Sequence, residues 1–426
     1  MYNYDVTGRF ARESVQNVSD NARLYASEYG YDQRGNVNYV GVVAGTNGAT
    51  MAYTYGSDNL PVSYTLDGKD GAYTYDGLDR LSSVSAPLKP TVTYGYQTVS
   101  GNRTSSRLAS ETSADTKIGT TTYAYDANGN ITSIHTTGAS MDRLNRYDYD
   151  EFNRLTMERN EDLDKTIVYY YDKWGNISQK RIYTGAENPN PVASALEKTV
   201  NYTYATSGWQ DRLTSYNGQS ITYDNIGNPT SYMGATMTWQ GRTLQSYAKG
   251  SANVAYTYDA DGLRVSKTVN GVKHNYYYVE GMLVYESCPS FQLFYLYDAL
   301  GNLAQIKRVL ASGTIESYGI QCNIFGDVVA MYNEKGKRVA LYTYDSWGKL
   351  LSITNNNGTD VTTVDFIGTQ NSIRYRGYVY DSETSLYYLQ SRYYAPETCR
   401  FINADSQINT KDSFSGYNLY IAMTIR

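Results

Sequence analysis

Cysteine and histidine are nearly missing: 426 residues contain three Cys and two His. Cys288, Cys322 and Cys399 stand far apart, and His135 and His274 are isolated from each other. That spacing excludes the usual Cys/His zinc clusters and a His-centred triad, and it leaves no assignable disulfide pair. No cofactor is expected. Eight prolines are too few for a Pro-rich linker protein. Lys and Arg are interspersed with acids at a net charge of -5, so the chain lacks the basic stripe that nucleic-acid binding needs. No apolar run approaches the about 18–20 residues of a membrane-spanning helix. Met1 runs directly into a repeat unit, so no signal peptide is expected here. The start in mid-pattern points to an upstream stretch.

Tyrosine is what the chain has instead, 48 residues against 8 Phe and 4 Trp. A Tyr buries its ring while its hydroxyl reaches a hydrogen-bonded edge. The negative mean hydropathy of -0.54 therefore does not signal disorder, which goes with few aromatics and β-branched residues.

The tyrosines recur as Tyr-x-Tyr-Asp, for example Tyr29-Gly-Tyr-Asp32, Tyr73-Thr-Tyr-Asp76, Tyr123-Ala-Tyr-Asp126, Tyr147-Asp-Tyr-Asp150, Tyr256-Thr-Tyr-Asp259 and Tyr342-Thr-Tyr-Asp345. Asp126 to Asp150 is 24 residues and Asp150 to Asp172 is 22. Degenerate copies such as Tyr53-Thr-Tyr-Gly56 and Tyr202-Thr-Tyr-Ala205 fill the longer gaps. A period near 20 residues suits a strand–turn–strand unit. In Tyr123–Ile134, Tyr123 and Tyr125 alternate onto one strand face, Asp126 to Asn130 turn, and Ile131 opens the return strand. Gly129 is free to take positive φ, and the Asp accepts backbone N–H bonds inside the turn. Lys173-Trp-Gly-Asn-Ile177 and Ser346-Trp-Gly-Lys-Leu350 follow the same grammar. The expected fold is all-β: YD-repeat hairpins paired sideways into a long curled antiparallel sheet.

The end of the chain is more specific. Tyr380-Asp381-Ser-Glu383-Thr-Ser385-Leu-Tyr-Tyr runs on through Arg392-Tyr-Tyr-Ala-Pro396 and Cys399-Arg400-Phe to Asp405. This resembles the core motif of the RHS and YD-repeat family, and the Tyr-Asp repeats extend the resemblance over the rest of the chain. The resemblance implies a spiral β-shell that encloses a C-terminal toxin, with the core segment sealing one end. It divides the chain into a repeat region at 1–365, a core segment at 366–420 and an aberrant tail at 421–426. The expected partners are an upstream shell segment and the encapsulated toxin. Intact family members are expected to be secreted or cell-surface associated.

In toxin-complex members the core also looks like an aspartic autoprotease, whose chemistry needs two carboxylates sharing a proton. By resemblance the catalytic position is Asp405, with Asp381 as partner and Glu383 as its alternate. Arg400 would bias a nearby carboxylate or brace the motif, and Arg392 would pair locally. Ser385 and Cys399 stand where the family has Gly, a residue that often marks positive φ. After Gly416-Tyr-Asn-Leu-Tyr420 the tail Ile421–Arg426 leaves the family pattern. One choice of codons for that tail, read two nucleotides later, spells Arg-Asn-Asp-Asn-Pro, so a frameshift that removed the cleavage site and toxin is expected. Two other readings compete: a surface repeat protein binding glycans or a partner through Tyr faces, and a gene fragment without independent function.

Overall fold

The computed structural model describes residues 2–16, 23–99, 103–139, 141–406 and 418–421. The tail beyond Ile421 and the Gly416-Tyr417 pair lie outside the described residues. Strand after strand pairs antiparallel with the next in sequence, giving a 19-stranded sheet from Tyr2–Tyr4 to Gln219–Ser220. A 14-stranded sheet follows, from Thr222–Tyr223 to Leu350–Thr354. A four-stranded core sheet closes the order with Val379–Asp381, Leu386–Leu389, Arg392–Ala395 and Arg400–Phe401. One helical turn, Ile367–Gln370, and a 3-10 turn, Tyr375–Gly377, lead into it. The fold is all-β, as the repeats require.

The turn at 126–130 explains the repeat's spelling. Asp126 N–H donates to Asn130 O at 2.9 Å, and Gly129 N–H to Asp126 O at 3.1 Å with Gly129 at φ 92. Asp126 Oδ1 accepts the Asn130 N–H at 2.8 Å, and Oδ2 accepts Asn130 Nδ2 at 2.8 Å. Where Arg replaces Asn, its Nε does the same, 2.8 Å for Arg80 and 2.7 Å for Arg154. The return strand always opens on a register shift. Tyr31 faces Val37, Tyr125 faces Ile131 and Tyr344 faces Leu350, each after a skipped residue. A bulge at each Tyr-Asp turn of the wall, with the turns between them regular, adds twist at a fixed interval and curls the sheet.

The second Tyr of most repeats has a fixed task. Its hydroxyl donates to a carbonyl of the preceding hairpin: Tyr55 to Val37 O, Tyr75 to Pro61 O, Tyr125 to Leu108 O, Tyr149 to Ile131 O, Tyr171 to Leu155 O and Tyr344 to Val328 O, at 2.7–3.0 Å. Trp239 Nε1 replaces the phenol with a 2.7 Å bond to Pro229 O. This ladder stitches hairpin to hairpin along the wall, in addition to the backbone pairing.

The two large sheets face each other, and the core lies between their inner faces. Val42, Met51 and Tyr64 from the first, with Leu293, Phe294 and Ile320 from the second, are buried in one cluster. Tyr53 hydroxyl donates to Tyr297 O at 2.9 Å, and Ala299 N–H donates to the Tyr73 hydroxyl at 3.0 Å. The Tyr rows are thus mostly buried, which gives no support to the competing reading of Tyr faces that bind glycans. Cavities of about 230 and 300 Å³ lie between the sheets. Among the described residues, no helix is long and apolar enough to cross a membrane.

Candidate functional site: the core sheet and its anchors

Asp381 ends the first strand of the core sheet and is 0% exposed. The Arg264 guanidinium grips it with both terminal nitrogens, Nη2 at 3.0 Å, and Lys267 Nζ donates to it at 2.9 Å. Lys267 also lies 2.8 Å from Glu383. Two cations thus meet two carboxylates, which is the condition for burying such charges at all. The Arg264 plane is enclosed by the rings of Tyr256, Tyr276 and Tyr388, 4.4–5.3 Å from its centre. Burial alone would raise the Asp381 carboxyl, but Arg264 and Lys267 hold it below the ordinary range. It is therefore a fixed acceptor, with no proton to give.

Arg264 and Lys267 escaped the sequence reading, although a signal was available. The residue opening the return strand is apolar in other hairpins, such as Val37, Ile131, Leu155 and Ile177, yet Arg264 occupies that position. The ladder is interrupted at the same place. The buried Tyr278 hydroxyl has no hydrogen-bond partner, and the Arg264 N–H turns to the Tyr388 hydroxyl at 2.9 Å. A charge in an apolar register marks where the core sheet docks.

Arg400 faces the other sheet. Its Nη1 donates to Asn176 Oδ1 at 2.8 Å and to the Tyr204 hydroxyl at 3.1 Å, and Nη2 to Asp211 O at 2.7 Å. These are neutral acceptors, so Arg400 braces the core sheet, while its charge offsets part of the rise that burial gives the nearby Asp211 carboxyl. Asp405 lies apart from that set: Arg392 Nη2 is 3.0 Å from its Oδ2, and its N–H donates to Leu419 O at 2.9 Å. Arg392 in turn sits 3.7 Å over the Phe401 ring. The structure thus brings Asp381 and Glu383 together on Lys267 and gives Asp405 a separate partner.

The core sheet also reads a turn of the wall. Tyr387 hydroxyl donates to Gly348 O and Tyr394 hydroxyl to Trp347 O, both at 2.8 Å, and Tyr375 hydroxyl donates to Ser346 O at 3.4 Å. A Cβ on Gly348 would meet the Tyr375 ring at 2.3 Å, so only glycine fits. Tyr420 hydroxyl donates likewise to Gly227 O at 3.0 Å. Ser385 and Cys399 adopt φ 58 and 57, the left-handed backbone that a family Gly would hold without strain. Cys399 is a buried free thiol whose pKa burial pushes up to about 12, which suits no nucleophile. Among the described residues no group of three or more His, Cys, Asp or Glu is placed to hold a metal.

Comparison with known proteins matches this architecture. A tRNA3(Ser)-specific nuclease WapA of Bacillus spizizenii is 35% identical over 263 residues, covering 60% of this chain and 10% of that protein. Double-stranded DNA deaminase toxin A of Burkholderia cenocepacia is 25% identical over 358 residues, covering 78% of this chain and 20% of the toxin. The chain thus spans a tenth to a fifth of these relatives' lengths. Among solved structures, TcdB2-TccC3 without its hypervariable C-terminal region superposes with a TM-score of 0.70 at 17% identity. That match covers 98% of this chain and 22% of the other. The Teneurin YD-shell model matches residues 107–421, and with the hairpin wall this establishes that the chain belongs to the Teneurin YD-shell family.

Proposed function

We propose that this chain is a stretch of wall from an RHS-type toxin shell, 1–365, stapled at one end by the core segment, 366–420. The observation that carries the reading is the double anchoring of the core sheet. Asp381 ties it to the second sheet through Arg264 and Lys267, and Arg400 ties it to the first through Asn176 and Tyr204. A plug held to both walls closes an end. The chain spans only a tenth to a fifth of the lengths of the relatives it matches. Containment therefore belongs to a longer wall, of which this is one coil, and the enclosed toxin is of the nucleic-acid-acting kind that the relatives' names describe. In this reading Asp381 is a brace, and Asp405, ion-paired with Arg392, helps to hold the end of the core segment in place. The intact protein is secreted or surface-associated.

The test is protease protection in the full-length gene product. A downstream domain that resists added protease in the wild type, and becomes cleavable in Asp381→Ala or Arg400→Ala, supports enclosure behind a stapled plug. A downstream domain cut equally fast in the wild type means that nothing is enclosed.

A further inference from the structure

We propose that the junction between wall and core carries a proton-operated catch at Glu158, closed while that carboxyl is protonated and loosened when it ionises. It rests on the reading of the core segment as a clamp. Glu158 belongs to the strand Leu155–Asn160 of the first sheet and is 0% exposed. Tyr169 hydroxyl donates to its Oε1 at 2.8 Å and accepts from Trp347 Nε1 at 2.9 Å. Trp347 sits in the turn whose carbonyls the core tyrosines grip, Tyr394 on Trp347 itself. One line of hydrogen bonds therefore runs from the core sheet through the turn to Glu158.

The surrounding charges do not balance. Asp345 and Lys349 face the site from the turn, Tyr147 from the adjoining strand Met141–Tyr149, Lys180 from Ile177–Thr184 two strands along, and Glu397 and the Cys399 thiol from the core. Lys349 is taken by Glu397 at 2.6 Å. Lys180 is left facing both Glu158 and Asp345, one cation for two buried carboxyls, so one of them keeps its proton. Glu158 is the one placed to use it. Its side chain is fully buried, its Oε2 has no hydrogen-bond partner, and a carboxyl placed so is held more easily neutral than ionised. Burial, aided by Asp345, raises the Glu158 carboxyl from 4.5 to about 7. With a folded value above the unfolded one, the catch is fully closed below 4.5 and lost as pH rises through about 7.

The test is amide hydrogen exchange of the core strands Leu386–Leu389 and Arg392–Ala395, corrected for intrinsic rates, from about pH 5 to about pH 8. Glu111 serves as control, because it is buried with its pKa raised to about 7, yet its partners, Tyr123 and the Ile324 backbone, belong to the wall and not to the core sheet. Wild type and Glu111→Gln are expected to lose more than about tenfold in protection over that range, while Glu158→Gln stays flat. A wild type that stays flat, or a Glu158→Gln variant that keeps the wild-type slope, overturns the catch. Should Glu158→Gln not fold, infrared spectra of Glu111→Gln decide. A protonated-carboxyl band present at about pH 6 and gone by about pH 8 supports the proposal, and its absence at about pH 6 sinks it. Asp381→Ala keeps the two readings apart. Core protection lost at every pH in that variant, beside a flat wild type, removes the catch and leaves the clamp standing.

Discussion

Ser385 and Cys399 show how much a single backbone angle decides. Both sit at left-handed φ, 58 and 57, where a Cβ costs about 1–2 kcal/mol relative to glycine. Ser385 is exposed, so its side chain returns little for that strain. Ser385→Gly is therefore expected to stabilise the chain by about 1 kcal/mol, read as a raised urea midpoint. Cys399 is 3% exposed and packs in the main core. There the gain from relieving φ is offset by the emptied side-chain volume, and Cys399→Gly is expected to be near neutral. A Ser385→Gly variant no more stable than the parent would show that the turn is not strained. Both positions were legible in advance, because a departure from a family Gly announces its own φ. The partners of Asp381 and Arg400 were not, since each is chosen by strands more than a hundred residues away.

At the scale of the element, the hairpin was readable and the seam between hairpins was not. Alternating Tyr, a turn Asp and a Gly three residues on specify a strand, a turn and a return, all within about ten neighbouring residues. The Tyr-to-carbonyl ladder links a side chain to the hairpin before it, so no local pattern displays it. It also explains why the repeat uses Tyr where Phe would fill the same space. Tyr171→Phe, which deletes the 2.7 Å bond to Leu155 O, is expected to cost about 1–2 kcal/mol by leaving that carbonyl unmet. Tyr278→Phe removes a buried hydroxyl that bonds nothing, and is expected to be neutral or slightly stabilising. Equal losses in thermal or urea unfolding would show that the ladder adds nothing beyond ring packing. The interruption of the ladder at Arg264 is the same fact seen from the core: the wall gives up one rung to receive the plug.

For the whole molecule, the curl predicted by the repeats is present, but its outcome depends on what faces what. The sheet breaks near Ile221 and folds back, and the inner Tyr rows pack against each other instead of lining an open lumen. Such facing is set by accumulated twist over many strands, which no single repeat encodes. One edge remains uncovered. Among the described residues the strand Tyr2–Tyr4 pairs on one side only, with Phe10–Gln16, and Tyr2 and Tyr4 are 60% and 64% exposed. The strand has no charge and no proline of its own to keep another chain from pairing with it. The chain by itself is therefore expected to associate as its concentration rises, with the apparent mass from light scattering climbing above 47.8 kDa. Tyr4→Lys places a charge on the edge and is expected to hold the mass at that of the single chain without lowering the urea midpoint. Association that persists unchanged in Tyr4→Lys would place the contact elsewhere, and a wild type that stays single at every concentration would mean the edge is closed by its own twist.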